Sequence, residues 1–334
     1  MEIYYMRPFD KPALTVEEQL DLLKRRGLIV ANDERATRFL EVVTLFRLSP
    51  YMRPFQEPGA DHKFKEGSFL REIVEIYRFD AKLRHQVMVA IEKVEVAMRA
   101  CLSNHMSPNH GADWFCDQKN FRHGFRHAEL LKPLHDKIRN EQEKLERESE
   151  RIKAGPQTDD QKRARIESRM RDNYFRFYGH TYNTPDLPPS WAITEELSLG
   201  TISTLYGSLA RAPDKKAIAK RFNVAHEVLA SWLHTLTFIR NCCAHHARLW
   251  NRELGVRPKL PNSWTIPTVP AGRPRPNYRV YIVLTVLAYL TDIVSPDSRW
   301  KMGLITVLET CREDALQQMG FPDDWRNQPH WKTE

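Results

Sequence analysis

The sequence predicts an all-α protein, on three observations. Apolar residues recur at helical spacing along nearly the whole chain, capping residues stand where those stretches begin and end, and no run of alternating β-branched residues is long enough to build a sheet. The first helix opens at Leu14-Thr15-Val16-Glu17-Glu18, where Thr15 as N-cap and Glu18 three residues on form a capping box. It ends at Gly27, after a basic turn, Lys24-Arg25-Arg26, that complements the helix dipole. Asp33 caps a second helix. Residues 1–60 are therefore expected to hold a helix-turn-helix-like hairpin that ends at Arg47-Leu48-Ser49-Pro50-Tyr51 and runs into a Pro-rich link through Pro54 and Pro58. DNA binding is one use of such a hairpin, and plain packing is the commoner one.

From Gly67 to about His105 a long amphipathic pattern, broken near Asp80, sets Ile73, Ile76 and Tyr77, then Leu83, Val87, Ile91, Val94 and Met98, on a core face. Glu92, Glu95 and Arg99 form one polar stripe on it, with Glu95 placed for an ion pair to Arg99. The stripe reads as a surface salt bridge or as the wall of a site. Residues 122–179 turn highly charged. Gly155-Pro156 marks a turn between two helices, the second from Lys162 to Tyr178, so this stretch reads as an inserted helical arm that packs weakly or packs on a partner.

After Pro185, Pro188 and Pro189 the pattern returns to core helices at Trp191–Leu209 and Lys215–Phe222, and to one that starts near Ala225 and runs through Trp232 and Leu236. Residues 258–276 read as an irregular basic loop. Helices at about Tyr278–Ile293 and Trp300–Met319 follow, so that residues 61–121 and 180–318 make up the helical core. An aromatic tail, residues 319–334, carries Phe321, Trp325 and Trp331.

Composition narrows the function classes. With 41% hydrophobic and 28% charged residues the chain lies in the soluble globular range. Its longest apolar stretch, Tyr281 to Leu290, is about half the ~20 residues a membrane-spanning helix requires. The first thirty residues hold no signal-peptide apolar region. A cytoplasmic protein without a membrane partner is expected. Cys101, Cys116, Cys242, Cys243 and Cys311 are scattered and odd in number, so reduced thiols are the default. The net charge of +8 is mostly local: between Arg240 and Arg279 eight Lys or Arg face the single acid Glu253. A solvated face is the bland reading of that run, and a phosphate-binding strip the sharper one.

The segment Arg240-Asn241-Cys242-Cys243-Ala244-His245-His246-Ala247-Arg248-Leu249-Trp250-Asn251-Arg252 is unlike the rest of the chain. As a zinc site it suffers from adjacency, because neighbouring side chains on a helix diverge by about 100° and cannot converge on one ion. As a cysteine nucleophile it has histidine neighbours but no evident arrangement to stabilise a thiolate. As an Arg-x4-His pair it supplies a fixed cation for a phosphate and an imidazole that exchanges protons near neutral pH, the two groups RNA cleavage needs. On an ideal helix Arg240 and His245 lie about 140° apart and Asn241 and His245 about 40°. Either the helix ends or bends near Ala244, or Arg240 reaches round, or a symmetry-related copy completes the pair.

These residues resemble the signature of the Abi-like abortive-infection proteins of bacteria (the AbiD/AbiF type), a branch of the HEPN superfamily of ribonucleases. Further similar blocks are Lys11-Pro12-x-Leu14-Thr15, Arg26-Gly27-Leu28, Arg47-Leu48-Ser49, Phe79-Asp80-x-x-Leu83-Arg84, Ile91-Glu92-x-Val94-Glu95, Trp191 with Glu195-Glu196-Leu197-Ser198-x-Gly200, and Trp232-Leu233-His234. Leu45-Phe46 and Pro50 depart from the pattern, in what reads as a packing region. The resemblance implies a HEPN-like helical bundle carrying the N-terminal hairpin and the inserted arm. It also implies a metal-independent endoribonuclease without a cofactor, in which the RNA 2′-hydroxyl attacks the adjacent phosphodiester. His245, with His246 as an adjacent candidate, would transfer the proton, Arg240 would stabilise the transition state, and Asn241 would orient them.

Arg248, Asn251 and Arg252 would hold RNA backbone, and Trp250 reads as core. HEPN sites juxtapose two such motifs, so one motif per chain implies a homodimer, and the resemblance further implies a toxin held in check by a small structured RNA. Lys24, Arg25 and Arg26, the arm from Lys162 to Arg176, and Arg273 and Arg275 are the surfaces offered to that RNA. The alternative is a non-catalytic RNA-binding scaffold or regulator on the same fold.

Overall fold

Residues 9, 11–59 and 61–332 are described by a computed structural model, and among them all regular structure is helical: fourteen α-helices, with short 3-10 turns and isolated β-bridges. The all-α expectation holds. Three helices lead, α1 (Val16–Arg25), α2 (Asp33–Val42) and α3 (Leu45–Met52). The capping box of α1 is present, with the Thr15 hydroxyl accepting from the Glu18 amide at 3.2 Å and the Glu18 carboxylate from the Thr15 amide at 2.7 Å. Gly27 then adopts φ +92°. Two details differ from the sequence reading. Asn32, not Asp33, caps α2, and the stretch expected to end a hairpin is itself helical, started by the Thr44 hydroxyl.

The spine of the molecule is α4 (Leu70–His110), which runs without a break through Asp80. Asp80 does not interrupt the helix because Arg84, one turn on, pairs with it at 2.5 Å inside the core. On one side of α4 stand α5 (His127–Lys153), α6 (Asp159–Arg171) and α7 (Tyr174–Thr181). The single helix expected over 162–178 is split, because the Asn173 side chain caps a new start by accepting from the amides of Phe175 and Arg176. Near the base of this arm Leu130, Leu134, Ile138 and Phe175 join the main core. Farther out, Arg176 ties α7 to Glu141 and Glu148 of α5.

Next come α8 (Ser190–Glu196) and α9 (Leu199–Ser208), where one helix was expected; the Ser198 hydroxyl accepts from the Thr201 amide and starts the second. Trp191, expected in the core, is 55% exposed. Then follow α10 (Ala212–Lys220), α11 (His226–Ala244), α12 (Val280–Val294), α13 (Trp300–Glu309) and α14 (Glu313–Gln318). The last two again divide a stretch that reads as one helix. Helices α8 to α13 all pack on α4, and α12 is buried on nearly every side, as expected of a helix apolar all round. Residues 258–275 are irregular, as expected. The aromatic tail is core: Phe321, Trp325 and Trp331 are buried around Tyr281, and the Trp331 indole N–H donates to the Thr285 hydroxyl at 3.1 Å.

Where α4 meets the start of α10, the buried Asp214 carboxylate accepts from Nε2 of His105 at 2.9 Å and of His110 at 3.0 Å. Burial raises its pKa, but the two histidine bonds, with Arg211 nearby, outweigh burial and hold it below the ordinary carboxylate value. A depressed acid stabilises the fold above its unfolded pKa of about 4 and loses that contribution as pH falls through the folded value. Denaturant unfolding over a pH series should therefore show the wild type more stable than Asp214→Asn at neutral pH, with the difference closing in acid; a constant difference would exclude the linkage.

Candidate functional site

Helix α11 carries the residues that the sequence singles out. Its buried stripe, Val228, Leu229, Trp232, Leu233, Leu236, Ile239 and Cys243, faces the core and leaves Asn241 exposed and Arg240 partly so. The helix ends at Ala244, one of the arrangements the sequence leaves open, while the Arg240 guanidinium is turned toward Asn241 and not toward His245. His245 is the C-cap, its N–H donating to the Asn241 carbonyl at 3.0 Å. His246 takes the left-handed conformation at φ +54°, with its N–H on the Cys243 carbonyl at 3.0 Å, and the Ala247 N–H reaches the Cys242 carbonyl at 2.8 Å. This is a Schellman ending, in which a histidine occupies the position where glycine is the usual residue. Both histidines are exposed.

The chain after this turn is anchored from two directions. Arg47 of α3 donates Nη2 to the His246 carbonyl at 2.7 Å and Nε to the Tyr77 hydroxyl at 3.3 Å. Asp80 of α4, fully buried, accepts the Trp250 amide at 2.6 Å and the Leu249 amide at 3.2 Å. Its other oxygen accepts from the Tyr51 hydroxyl at 2.5 Å and from Arg84 at 2.5 Å. Burial raises the Asp80 carboxyl above its ordinary value, against the opposing pull of Arg84, the Tyr51 hydroxyl and the two amides. Trp250 is core, as expected; it stacks on Tyr51, and its indole N–H donates to the Ala315 carbonyl.

Each candidate has a place in this frame. The Arg240 guanidinium reaches the Asn241 side-chain oxygen at 3.4 Å. Burial pushes the Cys243 thiol up to about 12, which argues against a thiolate there. Arg248 is half-buried, and burial, with Arg252 and Arg53 nearby, lowers its pKa. Arg252 donates Nε to the Arg248 carbonyl at 2.7 Å and lies 5.9 Å from the Phe238 ring centre.

Asn251 is engaged within the fold. It adopts φ +50°, and both its carbonyl and its side-chain oxygen accept from Arg279 at 3.1 Å. Two cations offered to RNA are occupied: Arg273 grips Asp323 at 2.8 Å and the Phe321 carbonyl at 2.8 Å, and Lys24 pairs with Asp33 at 2.5 Å. Arg25 and Arg275 are exposed, and Arg26 is partly so. The Glu95–Arg99 pair forms at 2.5 Å, and Arg99 also reaches Glu195 and the Leu197 carbonyl, so it clamps α4 to the α8–α9 junction. Glu92 is exposed.

Among the described residues no cluster of three or more His, Cys, Asp or Glu is placed to hold a metal ion. Sequence reasoning passed over Asp80 and Arg84, the site's central support, and over Arg47 and Arg53. A signal existed for the first pair: an aspartate inside an apolar helical run, with arginine four residues on.

Comparison with known protein families gives a match. The family model described as Abi-like protein covers residues 38–251, well over half of the chain, from within α2 to just past the anchored loop. No curated protein and no solved structure matches.

Removing one partner of a buried, hydrogen-bonded ion pair costs about 3–5 kcal/mol, so Asp80→Ala should lose that much in urea unfolding, and Tyr51→Phe about 1 kcal/mol. A left-handed non-glycine residue costs about 1–2 kcal/mol. His246→Gly should accordingly raise stability by about 1 kcal/mol in the same measurement, an outcome opposite to that of most substitutions.

Proposed function

The chain belongs to the Abi-like protein family, and from that premise we propose that it is a HEPN-type, metal-independent endoribonuclease acting in the cytoplasm. Membership in this family suggests a part in abortive-infection defence. The observation that carries the chemical reading is the ending of α11. The helix stops one residue before His245, and the exposed His245–His246 turn sits on a backbone fixed by Arg47 on one side and Asp80 on the other. Imidazoles are thus offered to solvent from a rigid support, with Arg240 and Asn241 one turn back.

In the proposed reaction the RNA 2′-hydroxyl gives up its proton as its oxygen bonds to the adjacent phosphorus, the P–O5′ bond breaks, and the departing 5′-oxygen takes up a proton in its place. The products are a 2′,3′-cyclic phosphate and a 5′-hydroxyl. His245, with His246 adjacent, transfers the proton, and Arg240 offsets charge that develops on the phosphorane-like transition state. Asn241, hydrogen-bonded to Arg240, orients it. A homodimer would set two such turns face to face across a twofold axis. A small structured RNA would hold the activity in check, through exposed cations such as Arg25 and Arg275.

The test uses protein stripped of co-purified RNA. Wild type and His245→Ala are incubated with single-stranded RNA in EDTA, the product ends are analysed, and the oligomeric state is measured by light scattering. Cleavage by the wild type alone, leaving 2′,3′-cyclic ends, is expected, with a loss on the order of a hundredfold or more in the variant. If both proteins bind RNA and neither cuts it, a binding scaffold replaces the enzyme.

A further inference from the structure

Among the N-terminal helices lies a cleft that the reaction does not use. It has a volume of about 610 Å³ and is walled by α1, α3 and the residues that follow α3. Leu14, Leu45 and Phe46 give it an apolar surface, and Lys11, Arg26 and Arg53 line it with cations. His62 also lines it, and among the described residues no aspartate or glutamate does. No carboxylate among the described residues pairs with Lys11, Arg26 or Arg53, although ion pairs are common elsewhere on this surface. Phe46 is 88% exposed, which corrects its reading as a packing residue, and with Leu14 and Leu45 it forms an apolar face beside the cations of the cleft.

The cleft is linked to the candidate catalytic turn by arginines. Arg47, next to Phe46 on α3, holds the His246 carbonyl. Arg53, on the cleft, is near enough to Arg248 to depress its pKa, together with Arg252. Arg248 keeps a buried Nε without a hydrogen-bond partner. Arg53 and Arg252 are thus both close enough to act on Arg248, and the buried Asp80 that also faces Arg248 is engaged by Arg84. Like charges held together this way favour an anion between them.

We propose that the cleft is a subsite for single-stranded RNA, which receives the unpaired nucleotides flanking the phosphodiester at His245. Arg53, Arg248 and Arg252 hold the connecting phosphates, and Phe46 supplies the face on which a base stacks. The chemistry selects this occupant. An apolar floor with an exposed aromatic suits bases freed from pairing, and a cationic rim without acids suits a phosphate backbone. A duplex hides its base faces and gains nothing from Phe46. The proposal rests on the ribonuclease reading for its register with His245, but it makes a claim about binding that can be measured separately.

The experiment measures binding of a fluorescent, 2′-O-methyl single-stranded RNA, which cannot be cleaved, to wild type, Phe46→Ala and Arg53→Glu, over a salt series and against a duplex of the same sequence. Both cleft residues are exposed, and thermal unfolding verifies that the variants fold. The expected result is a loss of single-strand affinity on the order of tenfold in Phe46→Ala, from one stacked base. Arg53→Glu should lose at least as much and flatten the salt dependence by about one unit. The duplex should be insensitive to Phe46→Ala. Unchanged single-strand affinity in Phe46→Ala and Arg53→Glu, or equal losses for duplex and single strand, would overturn the subsite. A failure of catalysis alone leaves these binding outcomes readable, so the two readings fall separately.

Discussion

The structure depends on how one carboxylate is kept inside it. Burying an unpaired charge costs many kilocalories per mole, and Asp80 is buried completely. It is tolerable because a guanidinium, a phenol and two backbone amides converge on its two oxygens. Those donors come from separate parts of the chain: Arg84 from α4, Tyr51 from α3, and Leu249 and Trp250 from the segment that follows α11. One buried group therefore locks the N-terminal helices and the histidine-bearing turn onto the spine. None of the four can withdraw without leaving a charge unsatisfied in the core, which makes the arrangement cooperative.

That lock explains the shape of the candidate site. A helix whose next residues must reach Asp80 has to stop and reverse, and the Schellman turn at His245 and His246 makes the reversal within two residues. Arg47 closes it from the other side by holding the carbonyl of the strained residue. The outcome is a pair of exposed imidazoles on backbone with little freedom, the condition under which a proton-transfer group keeps its geometry without help from substrate. The left-handed histidine fits this view, because a turn selected for stability alone would carry glycine there.

Much of the fold is legible in the sequence because its signals are local. The Thr15 capping box, Gly27, the apolar stripe of α4 and the core position of Trp250 follow from spacing and propensity over a few residues. The failures share a cause. Asp80 reads as a break because polarity inside an apolar run suggests one, and only a partner four residues on and three more donors from distant segments reverse that sense. Asn173 and Ser198 start new helices where periodicity runs straight through, since a cap depends on the backbone the residue adopts. Phe321, Trp325 and Trp331 look like a tail because nothing nearby in sequence announces the pocket around Tyr281. The motif itself was visible, but its support was not.

The same distinction governs the charge argument. The basic run from Arg240 to Arg279 suggests a linear strip, yet Arg273 is taken by Asp323 and Arg279 by Asn251 and Glu253, with one of those partners fifty residues away. What stands there instead is a set of arginines from two parts of the chain: Arg47 holds the His246 carbonyl, Arg252 the Arg248 carbonyl, and Arg53 of the N-terminal unit lies within electrostatic reach of Arg248. A strip of independent, solvated cations attracts any polyanion and loses much of that attraction to salt. Cations fixed in relation to one another and to two imidazoles do more, because phosphate contacts set the register of a strand against the reacting groups. The N-terminal helices are then less an appended hairpin than one wall of the candidate site, fastened there by the same aspartate that orders the histidine turn.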